Sequence, residues 1–295
     1  MTEKDFELAG IRTVEEQPLR AKRKWYKEYP VVSMLFLGIM IVGCFFCEQI
    51  MTVNPTYMDL EHCNVAPGRN FLFGTDTLGR DIFSMIWYGG RVSLLIGFVA
   101  TAISTAIGVL FGAVSGVASP RADAFLMRAV EIVLSIPNLL MIVLLQAVLG
   151  GAGVIGISIV IGITGWMSIA KVVRTEVRQI RNSEYVIASK CMGGSFWHIL
   201  WRHFLPNFWP SIMFMVVMNV RTAIVAESTL SFMGIGLPLE IVSWGSMLAL
   251  SQQALMTGSW WMILIPGCFL IVTLMCVTDI GNSLRGDSNQ RQSNL

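Results

Sequence analysis

The chain has 295 residues, 54% of them hydrophobic and only 14% charged, with a formal net charge of +2. Ordinary soluble domains carry about 25% charged residues, so the composition excludes a water-soluble globular protein. It points instead to an all-α chain that crosses a membrane several times.

In chain order, residues 1–30 form a basic segment carrying Lys4, Arg12, Arg20, Lys22, Arg23, Lys24 and Lys27, and Trp25-Tyr26-Lys27 supplies an aromatic-basic membrane interface. The uncharged run Val31–Cys47 predicts a first transmembrane helix at 31–50. The charged start and the lack of a small-residue cleavage site mark this helix as an anchor rather than a removable signal. Residues 51–91 read as an external loop, with turn chemistry at Asn54-Pro55 and Pro67-Gly68. A five-helix core is predicted over 92–283. Its second span lies in Val92–Pro120, and Ile132–Ala170 is long enough for two spans, with Gly150, Gly151 and Gly153 as the turn. A cytoplasmic insert at 171–207 precedes the run Phe204–Val220. The stretch from Ser243 to Ser259 is too polar to span, which leaves a last helix near Trp260–Asn282 and a tail at 284–295. The expected count is six.

Positive charge orients these spans, because Lys- and Arg-rich loops stay cytoplasmic. The insert region holds Lys171, Arg174, Arg178, Arg181, Lys190 and Arg202, and Arg121 and Arg128 lie in another cytoplasmic loop. The external loops hold only Arg69, Arg80 and Arg91, so both termini are expected in the cytoplasm. Gly108, Gly112 and Gly116 in the second span, and Gly156, Gly162 and Gly165 in the fourth, recur at helical spacing. Such small residues let helices approach closely in lipid.

No enzyme constellation emerges. There is no G-x-S-x-G motif. His62, His198 and His203 are dispersed, and the adjacency of Glu61, His62 and Cys63 reads as chance rather than a metal site. The segment Gly74 to Asp81 has P-loop glycine spacing, but Arg80 stands for the lysine and Asp81 for the Mg-holding hydroxyl, so a structural turn is expected. No catalytic residue, bound cofactor, metal ligand or nucleic-acid partner is predicted for this chain.

The distinctive stretch is Tyr185 to Asn207. Asn182 or Ser183 is placed to cap a helix with Glu184 in its first turn. Ala188, Ser189 and Cys191 keep part of that helix slim, as a groove-binding helix requires. Gly193-Gly194 breaks it, and a second helix is expected to stop at Pro206. Tyr185, Val186, Ala188, Gly193, Ser195, Arg202, His203, Leu205, Pro206 and Asn207 resemble the EAA motif of ABC-importer permeases. The resemblance is closest to the C-type subunit of oligopeptide, dipeptide and nickel importers. Further matches in order are Phe73 to Asp81 with Arg91-Val92-Ser93-Leu94; Met127-Arg128, Glu131 and Ile136-Pro137; Glu227 to Gly234; Ser243-Trp244-Gly245; and Trp260-Trp261 with Pro266-Gly267.

The resemblance implies a type I ABC-importer permease fold of six helices in a bacterial cytoplasmic membrane. It implies a second homologous permease as partner, two cytoplasmic ATPases that hold ATP and Mg, and an external substrate-binding protein that delivers cargo. Peptides are the implied cargo, with nickel or a metal chelate as the alternative. The implied ATPase-docking residues are Glu184, Tyr185, Ile187, Ala188, Ser189, Gly193 and Ser195. One departure is Ile187, which stands where the motif has glutamate; Glu184, one turn earlier, is placed to substitute. Three ionisable groups in or near the spans, Arg221, Glu227 and Asp279, are candidates for the translocation pathway or its gate, since such groups are expensive in a membrane. A self-sufficient secondary transporter or channel using Glu227 and Asp279 as an ion relay is the reading of a different class.

Overall fold

A computed structural model describes residues 30–149, 153–238, 240–254 and 258–293, without the side chains of 253 and 286–293. The basic segment up to Tyr29 and the glycines at 150 and 151 lie outside these described residues.

Helix α1 is Val31–Phe45, continued after Phe46 by the short α2, Cys47–Ile50. The segment after it folds into a cap over one end of the bundle that ends on Asp81. That carboxylate accepts Ser84 N at 3.0 Å and Thr52 Oγ1 at 2.8 Å, and so caps α3, Ile82–Val117, a helix of 36 residues. The segment with P-loop spacing is a structural turn, as expected. Asp76 accepts the backbone N–H of Leu78 (2.9 Å) and Arg80 (2.8 Å), and its other oxygen takes Arg80 Nε at 2.7 Å. Gly79 has φ +74, and a Cβ there would run into the Asp59 carbonyl. The predicted second span began at Val92; the Asp81 cap starts the helix ten residues earlier, and Arg91 lies within it.

Ser119 and Pro120 start α4, Pro120–Leu134, which Ser135-Ile136-Pro137 separates from α5, Asn138–Leu149. The two helices are bent by 88°. Helices α6, Val154–Gly165, and α7, Met167–Ile180, meet at Trp166 with a bend of 44°. The insert follows as α8, Glu184–Cys191, and α9, Phe196–Ile199. A π turn, Leu200–Phe204, then leads into α10, Leu205–Phe232. After the short α11, Trp244–Leu250, comes α12, Trp261–Ser293.

Pro206 does not end the second insert helix. Phe196–Phe232 is continuous over 37 residues. The wider π turn immediately before Pro206 loosens the i→i−4 ladder where the proline ring would collide with a carbonyl and its missing N–H would leave a gap.

Among the described residues, three helices are long and apolar enough to cross a membrane: α3, Phe196–Phe232 and Trp261–Arg285. The count rises to five if each bent pair is one span, and α1, at 15 residues, is shorter. Helix α3 is the central element. A Cβ at Gly108, Gly112 or Gly116 would lie 2.9, 2.5 or 3.2 Å from the carbonyl oxygens of Trp166, Ala170 and Arg174 respectively. Both series advance by four residues in the same direction, so α3 and α7 run parallel, backbone against backbone. Helix α10 runs the opposite way: Gly97 of α3 abuts Val220 and Ile224, while Ala113 clusters with Phe204 and Phe208. At one end of the bundle Trp261 Nε1 donates to Thr75 O (3.2 Å). At the other, Ser33 Oγ donates to Asp279 Oδ2 (2.9 Å), joining the start of α1 to α12.

Candidate functional site

The insert is built on the core rather than hung from it. Only three residues separate the end of α7 from the start of α8. Ser183 occupies the N-cap position, but its hydroxyl donates back to Ile180 O at 2.7 Å instead of capping α8. Val186 is fully buried in a cluster with Ala113, Val173, Val177, Phe204 and Phe208. Ser189 also turns inward, and its carbonyl accepts Gly194 N at 2.9 Å. Gly193 has φ +85, the left-handed conformation that glycine adopts at no steric cost. Ser195 then caps α9 by accepting His198 N at 3.3 Å.

The seven predicted docking residues therefore divide. Glu184, Tyr185, Ile187 and Ala188 face outward; Ser189 faces inward; Gly193 and Ser195 shape the turn. Met192, 82% exposed, continues the apolar outward face. The inner residues of α8 are locked by core packing, while its exposed face carries Tyr185, Ile187, Ala188 and Met192 flanked by the charges of Glu184 and Lys190.

Sequence reasoning missed the anchor of this region. Arg174, Arg178 and Arg181 read as a cationic face, but two of them close on a buried carboxylate. Asp123 of α4 accepts Arg174 Nε and Nη2, each at 2.5 Å, Arg178 Nη1 at 2.9 Å and Ser115 Oγ at 2.7 Å. Arg181 Nη1 donates to Gly116 O at 3.0 Å, and a cation at the last carbonyls of α3 also suits that helix dipole. Asp123 lies in the charged stretch ahead of the apolar run that begins at Ile132. The signal available in the sequence was one acid in a first helical turn and three arginines at i, i+4 and i+7.

The three predicted pathway residues are not brought together. Glu227 is fully buried on α10 and accepts Ser93 Oγ and Ser231 Oγ, both at 3.0 Å. Ser93 in turn accepts Trp244 N (3.2 Å), and Trp244 Nε1 donates to Ile86 O (3.0 Å). Glu227 thus holds α11 in the groove between α3 and α10. Asp279 clasps Ser33, as described above. Arg221 lies on the exposed face of α10, away from Glu227, and makes no ion pair or hydrogen bond among the described residues.

A cavity of about 360 Å³ opens where both bent pairs break. Pro137 and Asn138 line it from the α4–α5 break, Thr164, Gly165 and Ser168 from the α6–α7 break, and Asn219 and Thr222 from α10. Gly165 lies against Ser104, which sets the cavity near the middle of α3. Irregular backbone at membrane depth is tolerated where it is buried in protein or lines a water-filled space. Among the described residues, no three His, Cys, Asp or Glu side chains converge to hold a metal ion.

Residues 108–282 match the family model described as "Binding-protein-dependent transport system inner membrane component". The chain is 37% identical over 253 residues to the dipeptide transport system permease protein DppC of Bacillus subtilis, covering 85% of this chain and 78% of that protein. It is 35% identical over 255 residues to the oligopeptide transport system permease protein OppC of the same organism, covering 86% and 83%. The probable D,D-dipeptide transport system permease protein DdpC of Escherichia coli is 32% identical, with 86% and 85% covered. An inward-facing structure of the MetNI methionine ABC transporter superposes with a TM-score of 0.53 at 16% identity, covering 68% of this chain and 95% of that one. At that identity the likeness speaks for the fold.

Proposed function

We propose a function from one premise: this chain belongs to the binding-protein-dependent transport system inner membrane components, the non-catalytic permease subunits of ABC importers. On this reading it forms a translocation pathway with a second permease. ATP hydrolysed by separate cytoplasmic subunits powers the pathway, and an external binding protein loads it. Peptides are the cargo, in keeping with the relatives named for dipeptide and oligopeptide transport. The observation that carries the reading is α8, anchored inwardly by Val186 and presenting Tyr185, Ile187 and Ala188 outward for an ATPase groove.

The bundle crosses the membrane six times, with α4–α5 and α6–α7 each a broken span. The parallel register of α3 and α7 supports this count, because the chain between two parallel helices must return across the layer. Both termini and α8–α9 then share the cytoplasmic side. The coupled bundle has two states, inward- and outward-open, biased by nucleotide and by the loaded binding protein. Purifying the tagged chain from its native membrane tests the assembly. A second permease with ATPases in the same complex is the expected result; a chain that purifies alone and still transports would refute it.

Arg221 marks the pathway side of α10. The exposed face of α1, with Val32, Leu35 and Phe45, is wholly apolar and suits lipid. An arginine near the centre of a span costs about 2.5–3.5 kcal/mol on insertion scales, which disfavours lipid as its neighbour. Facing the pathway, its guanidinium is placed to meet the C-terminal carboxylate of a peptide. Arg221→Gln is expected to assemble normally and to lose roughly tenfold of the preference for free-acid over C-amidated peptides, one order being about 1.4 kcal/mol. Loss of assembly would instead make Arg221 a partner-permease contact.

A further inference from the structure

We propose that Asp123 is a positioning residue for energy coupling: by gripping Arg174 and Arg178 it makes α7 a rigid lever that carries displacement of α8 to the helix breaks around the central cavity. The inference rests on the reading of α8 as the ATPase-docking helix.

The path has no slack at its cytoplasmic end. Only Arg181, Asn182 and Ser183 separate α7 from α8, and Val186 of α8 packs in one cluster with Val173 and Val177 of α7. Helix α7 cannot slide along α3 without driving side chains into backbone, since Gly108, Gly112 and Gly116 already bring the two into direct contact. Arg181 ties the end of α7 to the last turn of α3 through Gly116 O. The remaining element, α4, is joined to this body by packing of Met127 and Val130 on Met167 and, nearer α8, by Asp123, whose oxygens receive Arg174, Arg178 and Ser115 together. Slack exists only further on, at the 88° break between α4 and α5 and the 44° break between α6 and α7. Those two breaks line the cavity. A pull on α8 therefore turns α7, with the end of α3 packed on it, about Trp166, and the carboxylate makes α4 follow, so both walls of the cavity move in one step. Without the carboxylate, only the apolar contact of Met127 and Val130 with Met167, beside the pivot, is left to carry α4.

The test uses the full complex with its ATPases and needs no cargo. Cys191 and Cys268, both exposed, are replaced by serine, and Ser168→Cys places a thiol in the cavity wall. Maleimide labelling of this thiol is compared with and without vanadate-trapped nucleotide. With Asp123 intact, trapping is expected to change the labelling rate at least tenfold. With Asp123→Asn the change should collapse to under twofold while ATP hydrolysis stays within a factor of two. Arg178→Gln, which removes one of the donors to Asp123, should fall between, and it carries the same test where Asp123→Asn fails to assemble. A full vanadate response in both variants, or hydrolysis and response falling in parallel, would overturn the proposal. Absence of ATPases from the complex with Asp123 intact would instead overturn the docking reading.

Discussion

Complexes carrying Ala188→Arg are expected to purify without their ATPase subunits. Ala188 sits on the outward face of α8, one turn after Glu184. The substitution adds a long charged side chain where a groove-entering helix must be slim, yet arginine is nearly as good a helix former as alanine. The inner contacts of Val186 and Ser189 are untouched, so the chain itself should fold and insert normally. Burying an unpaired guanidinium, or holding the ATPase off by its length, is expected to cost several kcal/mol. We expect ATPase content and peptide-stimulated hydrolysis to fall at least tenfold. Ile187→Glu, by contrast, restores the residue type usual in the motif beside Glu184 and should keep the ATPases bound. Quantitative mass spectrometry of the two purified complexes decides the matter, and ATPase retained at full stoichiometry by Ala188→Arg would place the docking surface elsewhere.

Glu227→Ala is expected to abolish transport by loosening the end of the bundle opposite the insert. The carboxylate is fully buried and receives three serine hydroxyls, Ser93 from α3 and Ser228 and Ser231 from α10, and Ser93 also receives the first backbone N–H of α11. Alanine leaves Ser93 and Ser231 without their acceptor, at about 1–3 kcal/mol for each unsatisfied group, and opens a cavity beside them. Helix α11 should loosen, because Trp244 is seated there by the same network. Glu227→Gln keeps a carbonyl oxygen in place and should recover most of the loss. Thermal unfolding in detergent and uptake in proteoliposomes separate the cases. If Glu227→Gln proves as damaging as Glu227→Ala, the charge itself matters and the purely structural account fails.

These expectations trace to features of very different legibility in the sequence. The apolar length of α3 and α12 is written in uninterrupted hydropathy, which counts composition along the chain. Hydropathy says nothing of direction, so the break at Ser135-Ile136-Pro137 and the turn at Trp166 were hidden inside the single run Ile132–Ala170. The insert was legible because its grammar is local: a Gly-Gly break, a serine cap and a change of polarity within 23 residues, Tyr185 to Asn207. Its inner and outer faces were not, since an eight-residue helix has too few turns to define a phase, and packing of Val186 against α7 sets it. Pro206 misled for a related reason, as the π turn that accommodates it is a backbone adjustment with no signature of its own. The Asp123 clasp lay furthest from view. Its partners are 51 and 55 residues away, and charge patterning along one helix cannot show what meets it from another.

The parallel contact between α3 and α7 also bears on how the chain comes to be made. An antiparallel pair can close as a hairpin soon after its second helix is synthesised, but a parallel pair cannot. The glycine face of α3 must wait for the whole of α4, α5 and α6, from Pro120 to Gly165, before α7 arrives to cover it, a separation that slows assembly by loop closure. Throughout that interval the nascent chain offers lipid a groove floored by three glycines.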